Sequence, residues 1–248
     1  MQAAWWSFSV ALLCVRVDVG DRSQMPATLS EQLTIEKTPS YFVTRGVAER
    51  VHDMSRDQIT SRDIRLLVVV RDPVTRALSD YTQSASKRPA LASFEKMAFA
   101  MRGNKSVVDA VWGPIRLGVY ARYVQPWLDH FTPERLHFVR GERLVTDPAA
   151  EMESVQSFLG LRPLINSRNF YFNATKGFPC FRSSHGASRC LGRTKGRQHP
   201  PVEEHVLQRL RQFYRPYNAL FYRMTGINFG WDWKQSKGRL CECHSYVM

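Results

Sequence analysis

The fold of this chain is decided by residues 65–87, Arg-Leu-Leu-Val-Val-Val-Arg-Asp-Pro-Val-Thr-Arg-Ala-Leu-Ser-Asp-Tyr-Thr-Gln-Ser-Ala-Ser-Lys. The apolar run Leu66–Val70 predicts a parallel strand that is covered on both faces. Asp72 can cap the helix that follows, and Pro73 suits its first turn. Arg71 stands at the carboxyl end of the strand, where an open α/β sheet has its ligand crevice. The stretch therefore predicts a strand, a turn and a helix, with a binding site at the turn.

The helix predicted after Pro73 has two different faces. One face is an apolar stripe at helical spacing, and the opposite face is polar. The stripe comprises Val74, Ala77, Leu78, Tyr81 and Ala85, and the polar face comprises Arg76, Ser79, Gln83 and Lys87. A solvated surface is the usual explanation of such a polar face. Here Arg71, a helix N-terminus and the hydroxyl of Ser79 together favour a phosphate site.

The composition indicates one packed domain with an anionic partner. The chain has 248 residues, of which 44% are hydrophobic, enough for a single α/β domain and too many for a disordered chain. Lys and Arg number 35 and Asp and Glu number 22, so the formal net charge is +13. Nucleic acid, an acidic membrane surface and a sulfated polysaccharide satisfy that charge equally. Because the sequence has no nucleic-acid reader motif, we expect no nucleic-acid partner.

Apolar periodicity outside the central stretch predicts alternating strands and helices. The predicted strands are one that ends near Lys37 and one over Leu136–Val139. The predicted helices cover 45–60, Phe94–Met101, 114–131 and Glu151–Leu159, and a last helix follows Pro200. The helix over 114–131 has the core stripe Leu117, Tyr120, Val124, Trp127 and Phe131, and the last helix has the apolar face Val206, Leu207, Leu210, Phe213 and Tyr217. This order predicts an α/β fold whose parallel sheet has helices on both faces. Lys37 would lie beside Leu66–Val70 if the two strands pair in parallel.

The two ends of the chain differ from its middle. Ala3–Val15 is mostly apolar but shorter than the ~20 residues of a membrane span, and it lacks the basic start of a signal peptide. We expect an atypical segment over 1–24, one domain over 25–233 and a polar tail over 234–248. The cysteines lack the paired spacing of a zinc site, so no metal is predicted.

A polar region over 163–200 contains two further features. Cys180 and Cys190 flank a short loop that a disulfide would stabilise by about 3 kcal/mol, in an oxidising compartment only. The segment 193–200, Arg-Thr-Lys-Gly-Arg-Gln-His-Pro, is basic and precedes a helix, so it can either wrap a phosphate or lie in solvent. Sequons at Asn104 and Asn173 are compatible with a secretory route.

Several motifs of this chain are collinear with those of one enzyme family. They are Arg71 with Ser79, the segment Lys195–His199, Glu-Lys-Thr-Pro-Ser-Tyr-Phe at 36–42, Tyr-Phe-Asn at 171–173 and Thr-Lys-Gly-Phe-Pro-Cys at 175–180. Together they resemble the heparan sulfate glucosamine 3-O-sulfotransferases, over about Met25 to Trp233. The resemblance implies a P-loop-like, three-layer α/β domain with a mainly parallel central sheet.

The resemblance also implies a reaction and a set of site residues. The family transfers a sulfuryl group from 3′-phosphoadenylyl sulfate (PAPS) to the 3-hydroxyl of glucosamine in heparan sulfate. Carried over by motif, the donor-binding residues are Arg71, Ser79, Lys195, Gly196, Arg197, Gln198 and His199. The residues implied to line the saccharide cleft are Lys37, Thr38, Pro39, Ser40, Gln83, Lys87, Trp112 and Gly113. Lys37 would also offset charge on the leaving phosphate, as the catalytic cation. The resemblance further implies a Cys180–Cys190 disulfide, heparan sulfate or heparin chains as partners, and the Golgi lumen, usually behind a membrane anchor.

The chain departs from the family at its start. There, a first strand leads into a Lys- and Gly-rich loop and helix that bind the 5′-phosphosulfate, and a further segment supplies the general base. No such loop follows a strand in residues 1–36, and residues 1–24 contain no Glu or Lys. We therefore expect an N-terminally incomplete member, without an evident anchor, that is weak or inactive in transfer. We also expect an exposed strand flank and marginal stability.

A second class of function uses the same basic residues for binding and requires no catalysis. The chain would be a non-catalytic binder of heparan sulfate or another polyanion, through the cations Lys37, Lys87, Arg88, Lys195 and Arg197.

Overall fold

The computed structural model describes residues 10–15, 33–56, 64–183, 186–190, 192 and 197–231. In chain order, its strands are β1 Val10–Val15, β2 Thr34–Thr38, β3 Ile64–Val70, β4 Phe99–Arg102, β5 Lys105–Val108, β6 Leu136–Arg140, β7 Phe170–Asn173, β8 Phe178–Arg182 and β9 Ser188–Arg189. Its α-helices are α1 Val47–Arg56, α2 Pro73–Ala85, α3 Phe94–Ala98, α4 Gly113–Arg116, α5 Tyr120–His130, α6 Arg143–Thr146, α7 Pro148–Leu159 and α8 Glu204–Thr225. Short 3-10 turns complete the connections.

The central sheet has the strand order β2-β1-β3-β6. Strands β3 and β6 pair in parallel, with Leu66 opposite Leu136 and Val70 opposite Arg140. Strand β1 is antiparallel to both of its neighbours, so β2, β3 and β6 all point the same way. The predicted α/β fold with parallel pairing is confirmed, and three of the four strands share one direction.

Strand β1 corrects two predictions about this sheet. It lies between β2 and β3, with Leu12 opposite both Lys37 and Leu67. The expected position of Lys37 directly beside β3 is therefore wrong, and so is the expected open flank on β3. The physical reason is that the apolar run at 10–15 supplies backbone hydrogen-bonding groups to both neighbours, which leaves neither facing edge unpaired.

Alternating side chains of β3 face two different layers, as the continuous apolar run predicted. Ile64, Leu66, Val68 and Val70 are buried in a core shared with α1, α5 and α8. Leu67 is buried on the other face against Val155 and Leu159 of α7. The sheet therefore has helices on both faces, which gives the three layers that the sequence implied.

The apolar stripe of α2 packs into a separate cluster beside the sheet. Val74, Ala77, Leu78 and Tyr81 lie there among residues of α3, α4 and the first half of α8. In α8, Val206 and Leu210 are buried as predicted, whereas Tyr217 is 37% exposed. Tyr214 is buried in this cluster and Phe221 is buried in the main core, so α8 contacts both.

Two predicted helices are shorter than their patterns indicated. The helix predicted over Phe94–Met101 ends at Ala98, and Phe99 begins the β4–β5 hairpin. The helix predicted over 114–131 is interrupted between α4 and α5. At this interruption the Ile115 carbonyl accepts from the Gly118 N–H at 3.0 Å and from the Tyr214 hydroxyl at 2.8 Å, so a distant side chain takes part in ending α4.

The other predicted elements are confirmed within the described residues. The strand at Leu136 and the helix ending at Leu159 lie where periodicity indicated, and the helix predicted over 45–60 is described as α1. A small sheet of β7, β8 and β9 contains the Cys180–Cys190 disulfide. Over the part of the chain that is described, no helix is long and apolar enough to cross a membrane.

Candidate active site at the tip of β3

The turn after β3 is built as the sequence predicted. The Asp72 carboxylate accepts hydrogen bonds from the Thr75 backbone N–H at 2.7 Å and from the Thr75 hydroxyl at 2.8 Å. Pro73 occupies the first turn of α2, where its missing N–H costs nothing. The Asp72 N–H itself donates to Glu142 at 2.6 Å, which joins this turn to the segment after β6. The helix N-terminus is therefore fixed beside the strand tip.

Two contacts that the sequence did not indicate hold the backbone at Val70 and Arg71. The Tyr120 hydroxyl donates to the Arg71 carbonyl at 2.8 Å, and the Gly141 N–H donates to the Val70 carbonyl at 2.8 Å. A Cβ on Gly141 would lie 3.1 Å from that carbonyl oxygen and 3.3 Å from the Arg71 Cβ, so a larger residue would crowd the tip. Tyr120 had been predicted only as core, although a hydroxyl in an apolar stripe signals a buried partner.

The Arg71 side chain meets two residues from distant parts of the chain. Its Nη1 lies 3.3 Å from Ser79 Oγ, and Ser79 Oγ lies 2.8 Å from His199 Nε2. The Arg71 Nε is buried and has no hydrogen-bond partner among the described residues. A buried guanidinium N–H without an acceptor fits a site for an anion, because such a group needs an oxygen to bind.

The charge of this cluster comes from Arg71. Burial lowers the pKa of His199, and the neighbouring Arg71 guanidinium lowers it further. The imidazole is therefore held in its neutral form, and Arg71 is the permanent charge of the cluster. A phosphate oxygen would offset that charge.

A second contact lies one turn further along α2. Arg197 Nη1 donates to Gln83 Oε1 at 2.6 Å. The segment at 197–199 thus lies along the edge of α2 that carries Ser79 and Gln83. Lys87 continues that edge and is exposed, as is Gln198. Lys195 and Gly196, which the resemblance also assigned to the donor, lie outside the described residues.

The predicted saccharide residues Trp112 and Gly113 lie at the start of α4, which packs against α2. The Trp112 ring is 6.3 Å from Tyr81 and 5.6 Å from Phe94, between ring centroids, so it packs partly into the α2 cluster. Gly113 begins α4, and the position of a Cβ there is open. Both residues stand near α2 because α4 packs against it.

Arg76 corrects the predicted polar face of α2. It is only 3% exposed, its Nη1 lies 3.4 Å from Asp80, and its Nη2 donates to the Pro114 carbonyl. Burial raises the pKa of Asp80, and the Arg76 charge opposes that rise. Arg76 therefore fastens α4 to α2 and does not face solvent, so the polar edge consists of Ser79, Gln83 and Lys87.

The β2 end of the predicted site is separated from this cluster. Lys37 lies on β2 and is half-buried, and the Thr38 hydroxyl donates to the Glu36 carboxylate. Pro39 and Ser40 follow, and the Ser40 carbonyl accepts from the Thr44 N–H at 3.0 Å. With β1 between them, β2 and β3 are about 10 Å apart, twice the usual strand spacing.

The direction of β1 determines at which edge of the sheet the chain leaves this strand. Val10 lies opposite Val69, near the Arg71 edge of the sheet, whereas Val15 lies opposite Ile64 at the other edge. A phosphate loop at the Arg71 edge would have to follow the carboxyl end of a strand. Because β1 runs the opposite way, the chain leaves it on the side remote from Arg71. No group of three or more metal-ligating side chains occurs among the described residues.

A parallel pair of strands with helices on both faces, and a capped helix after the buried strand β3, define the class as an α/β protein. The chain belongs to the sulfotransferase domain family, which matches residues 11–227. It is 53% identical over 213 residues to heparan sulfate glucosamine 3-O-sulfotransferase 3B1 of Homo sapiens, covering 85% of this chain and 53% of that protein. The predicted resemblance is therefore confirmed in sequence.

Two further heparan sulfate glucosamine 3-O-sulfotransferases and one solved structure extend the comparison. Sulfotransferase 6 of Mus musculus is 53% identical over 85% of this chain and 60% of its own length. Sulfotransferase 5 of Homo sapiens is 40% identical over the same shares. The chain thus spans between half and two thirds of these relatives. The crystal structure of a sulfotransferase from Alicyclobacillus acidocaldarius shares the fold, with a TM-score of 0.53 and 18% identity over 78% of this chain and 65% of that one.

Proposed function

We propose that this protein is a heparan sulfate glucosamine 3-O-sulfotransferase that uses PAPS, and that its Arg71 cluster holds the 3′-phosphate of that donor. The observation that carries the proposal is the convergence of Arg71, Ser79 and His199 at the strand tip, with a buried Arg71 N–H that lacks an acceptor. An arginine fork with a hydroxyl beside it suits a phosphate dianion. The names of the relatives support the acceptor class.

The donor supplies the sulfuryl group, and the residues of this chain would bind and orient it. Sulfuryl transfer forms a bond from the acceptor 3-hydroxyl oxygen to sulfur and breaks the bond from sulfur to the donor phosphate, while a base takes the hydroxyl proton. Lys37 is the cation proposed to offset charge on the leaving phosphate. Gln83 and Lys87, beyond Ser79 on the same helix edge, are proposed to contact the acceptor with Thr38, Pro39, Ser40, Trp112 and Gly113.

We propose further that the 248-residue chain transfers sulfuryl groups slowly or not at all. Residues 1–36 contain no Lys- and Gly-rich loop after a strand, and β1 runs away from the Arg71 edge. Without a cation cradle for the reactive phosphosulfate and a base for the hydroxyl, most of the rate enhancement is lost.

The test measures binding and transfer separately. Titration calorimetry with adenosine 3′,5′-bisphosphate should detect binding, and transfer from labelled PAPS to heparan sulfate should be far below that of sulfotransferase 3B1. Failure of the bisphosphate to bind would contradict the donor site. Turnover comparable to that of the relative would contradict the proposed low activity but would not contradict the proposed donor site.

The alternative is a non-catalytic binder of heparan sulfate or another polyanion. It is favoured by the net charge of +13 and by the exposed cations Lys87 and Arg88 at the end of α2. Heparin affinity chromatography decides it, by comparing the salt needed for elution with that of a protein of equal size and charge. Equal elution would contradict specific binding, because charge alone would then account for retention.

A Golgi lumenal location is part of this proposal and predicts unequal use of the two sequons. Asn104 lies in the exposed turn between β4 and β5, after Gly103 with φ +58°. Asn173 Nδ2 instead donates to Cys190 Sγ at 3.5 Å, and its Oδ1 accepts from the Lys176 N–H at 3.0 Å. We expect N104Q, and not N173Q, to remove most of the glycan from protein secreted by mammalian cells. The mobility shift after peptide N-glycosidase treatment measures it, and the reverse pattern would contradict the prediction.

A further inference from the structure

Ser79 lies between two groups that each form a hydrogen bond with its hydroxyl. Arg71 can only donate, so across the 3.3 Å contact the Ser79 oxygen accepts from the guanidinium. With His199 neutral and its ring proton on Nδ1, Nε2 accepts the Ser79 hydrogen across the 2.8 Å contact. The lowered pKa of His199 favours this neutral form. This polarity, from Arg71 through Ser79 to His199, describes the cluster before an anion binds.

We propose that an anion bound beside Arg71 makes His199 take up one proton, with the Ser79 hydroxyl reversing its direction to link the two events. The proton comes from solvent and forms an N–H bond at Nε2, which then donates to Ser79 Oγ. The Ser79 hydrogen turns to the anion, so that the anion gains a second donor beside Arg71. The inference rests on the proposed function, because it takes the donor 3′-phosphate as the anion.

The charge balance of the cluster gives the direction of this coupling. Without an anion, burial and the Arg71 charge both lower the pKa of His199 and disfavour the imidazolium. A dianion beside Arg71 offsets that charge and attracts a second cation. The imidazolium is then favoured, so anion affinity should rise as the pH falls.

Other charged groups near this cluster are engaged elsewhere. Arg197, on the same segment as His199, has its guanidinium on Gln83. The carboxylates on the adjoining elements have the following partners: Asp72 caps α2, Asp80 pairs with Arg76, Glu142 accepts from the Asp72 N–H, Glu203 pairs with His205, and Glu204 pairs with Arg211. Across the described part of the chain, none of these contacts reaches His199, and Arg71 is the charge that acts on its pKa there.

The test counts protons taken up on binding by the whole 248-residue protein. Adenosine 3′,5′-bisphosphate is titrated calorimetrically in buffers of different ionisation enthalpy, between pH 6 and pH 8. Wild type should take up more protons than H199Q, by up to one. Its affinity should also fall with pH more steeply than that of H199Q, by up to about tenfold per unit. Comparison with H199Q removes the contribution of the ligand phosphate, which itself titrates near pH ~6.

A matched control and a second variant make the result decisive. His137 is also half-buried with a pKa lowered by burial, but it stacks on Phe158, away from Arg71, so H137Q should keep the wild-type proton count. S79A removes the hydroxyl that connects Arg71 with His199. It should reduce proton uptake, and it provides a separate test if H199Q misfolds. Inorganic sulfate, a dianion throughout this range, should compete more strongly at low pH with wild type only.

The outcomes separate the inference from the proposed function. Binding of the bisphosphate with equal proton counts in wild type, H199Q and S79A overturns the coupling and leaves the donor site intact. Absence of any binding overturns both. A proton count that falls equally in H137Q also overturns the coupling, because burial alone would then explain it.

Discussion

On the β3 side of the candidate site, the functional groups are tied to one another by direct contacts. Arg71, Ser79 and His199 form one chain of hydrogen bonds, and Arg197 reaches Gln83 one helical turn away. On the β2 side, Lys37 stands on a strand that is separated from β3 by β1. The residues proposed to hold the donor phosphate thus contact one another directly, whereas β1 separates them from the strand that carries Lys37. Binding and chemistry should therefore be separable in this protein.

The largest effect should come from Arg71. We expect R71A to weaken adenosine 3′,5′-bisphosphate binding by about 100-fold, or about 2.7 kcal/mol, because a charge-assisted pair of hydrogen bonds is lost. R88A, which removes an exposed charge beyond α2, should change the dissociation constant less than about twofold. Titration calorimetry measures both. Equal losses in the two variants would mean that general charge, not the strand-tip cluster, binds the nucleotide.

The next effect concerns the strand that divides the two sides. A proline at Leu12 removes a backbone donor from a strand that pairs on both flanks, so L12P should lower the melting temperature by at least several degrees. M101P alters the exposed two-stranded hairpin and should cost less. Differential scanning calorimetry compares them. If L12P melts like wild type, β1 does not contribute to the sheet.

Lys37 should contrast with Arg71 in the same binding assay. We expect K37A to change bisphosphate affinity by less than about twofold, since β1 separates its strand from β3 and the ligand lacks the sulfuryl group. Any residual transfer of labelled sulfate should nevertheless fall. A K37A affinity as low as that of R71A would show that the two sides act as one binding site.

The smallest effect is the pH dependence of unfolding without ligand. The folded-state pKa of His199 is lowered, so its contribution is fully present above the unfolded value of about 6.5 and is lost as the pH falls below that value and through the lower folded-state pKa. Acidification from pH 8 to pH 5 should therefore destabilise wild type more than H199Q. Urea unfolding at each pH measures this difference. An equal loss of unfolding free energy in both proteins would show that His199 does not contribute to the destabilisation by acid.

Local pattern was sufficient to predict the element that carries the site. The strand Leu66–Val70, the Asp72 cap and the buried stripe of α2 all follow from residues within a few positions of one another. Arg76 was assigned to the wrong environment because its burial depends on Asp80 and on the Pro114 carbonyl, 38 positions away. Helical periodicity does not carry that information.

The features that the sequence did not predict depend on contacts between distant parts of the chain. The contact between Ser79 and His199 spans 120 positions, and only the family resemblance brought those residues together in advance. The place of β1 between β2 and β3 depends on partners elsewhere in the chain, and its reversed direction has no local signature. The roles of the site residues in binding and transfer stay predictions until the variants above are measured.

The position of β1 also has a consequence for amide exchange. A strand at the edge of a sheet exchanges amide hydrogens by local fraying, because one of its flanks has no neighbouring strand. Residues 10–15 are hydrogen-bonded to a strand on each side and cannot open without breaking the sheet in two. Their amides should exchange only in the same rare opening as those of β3, so this strand of six residues would report the stability of the whole domain.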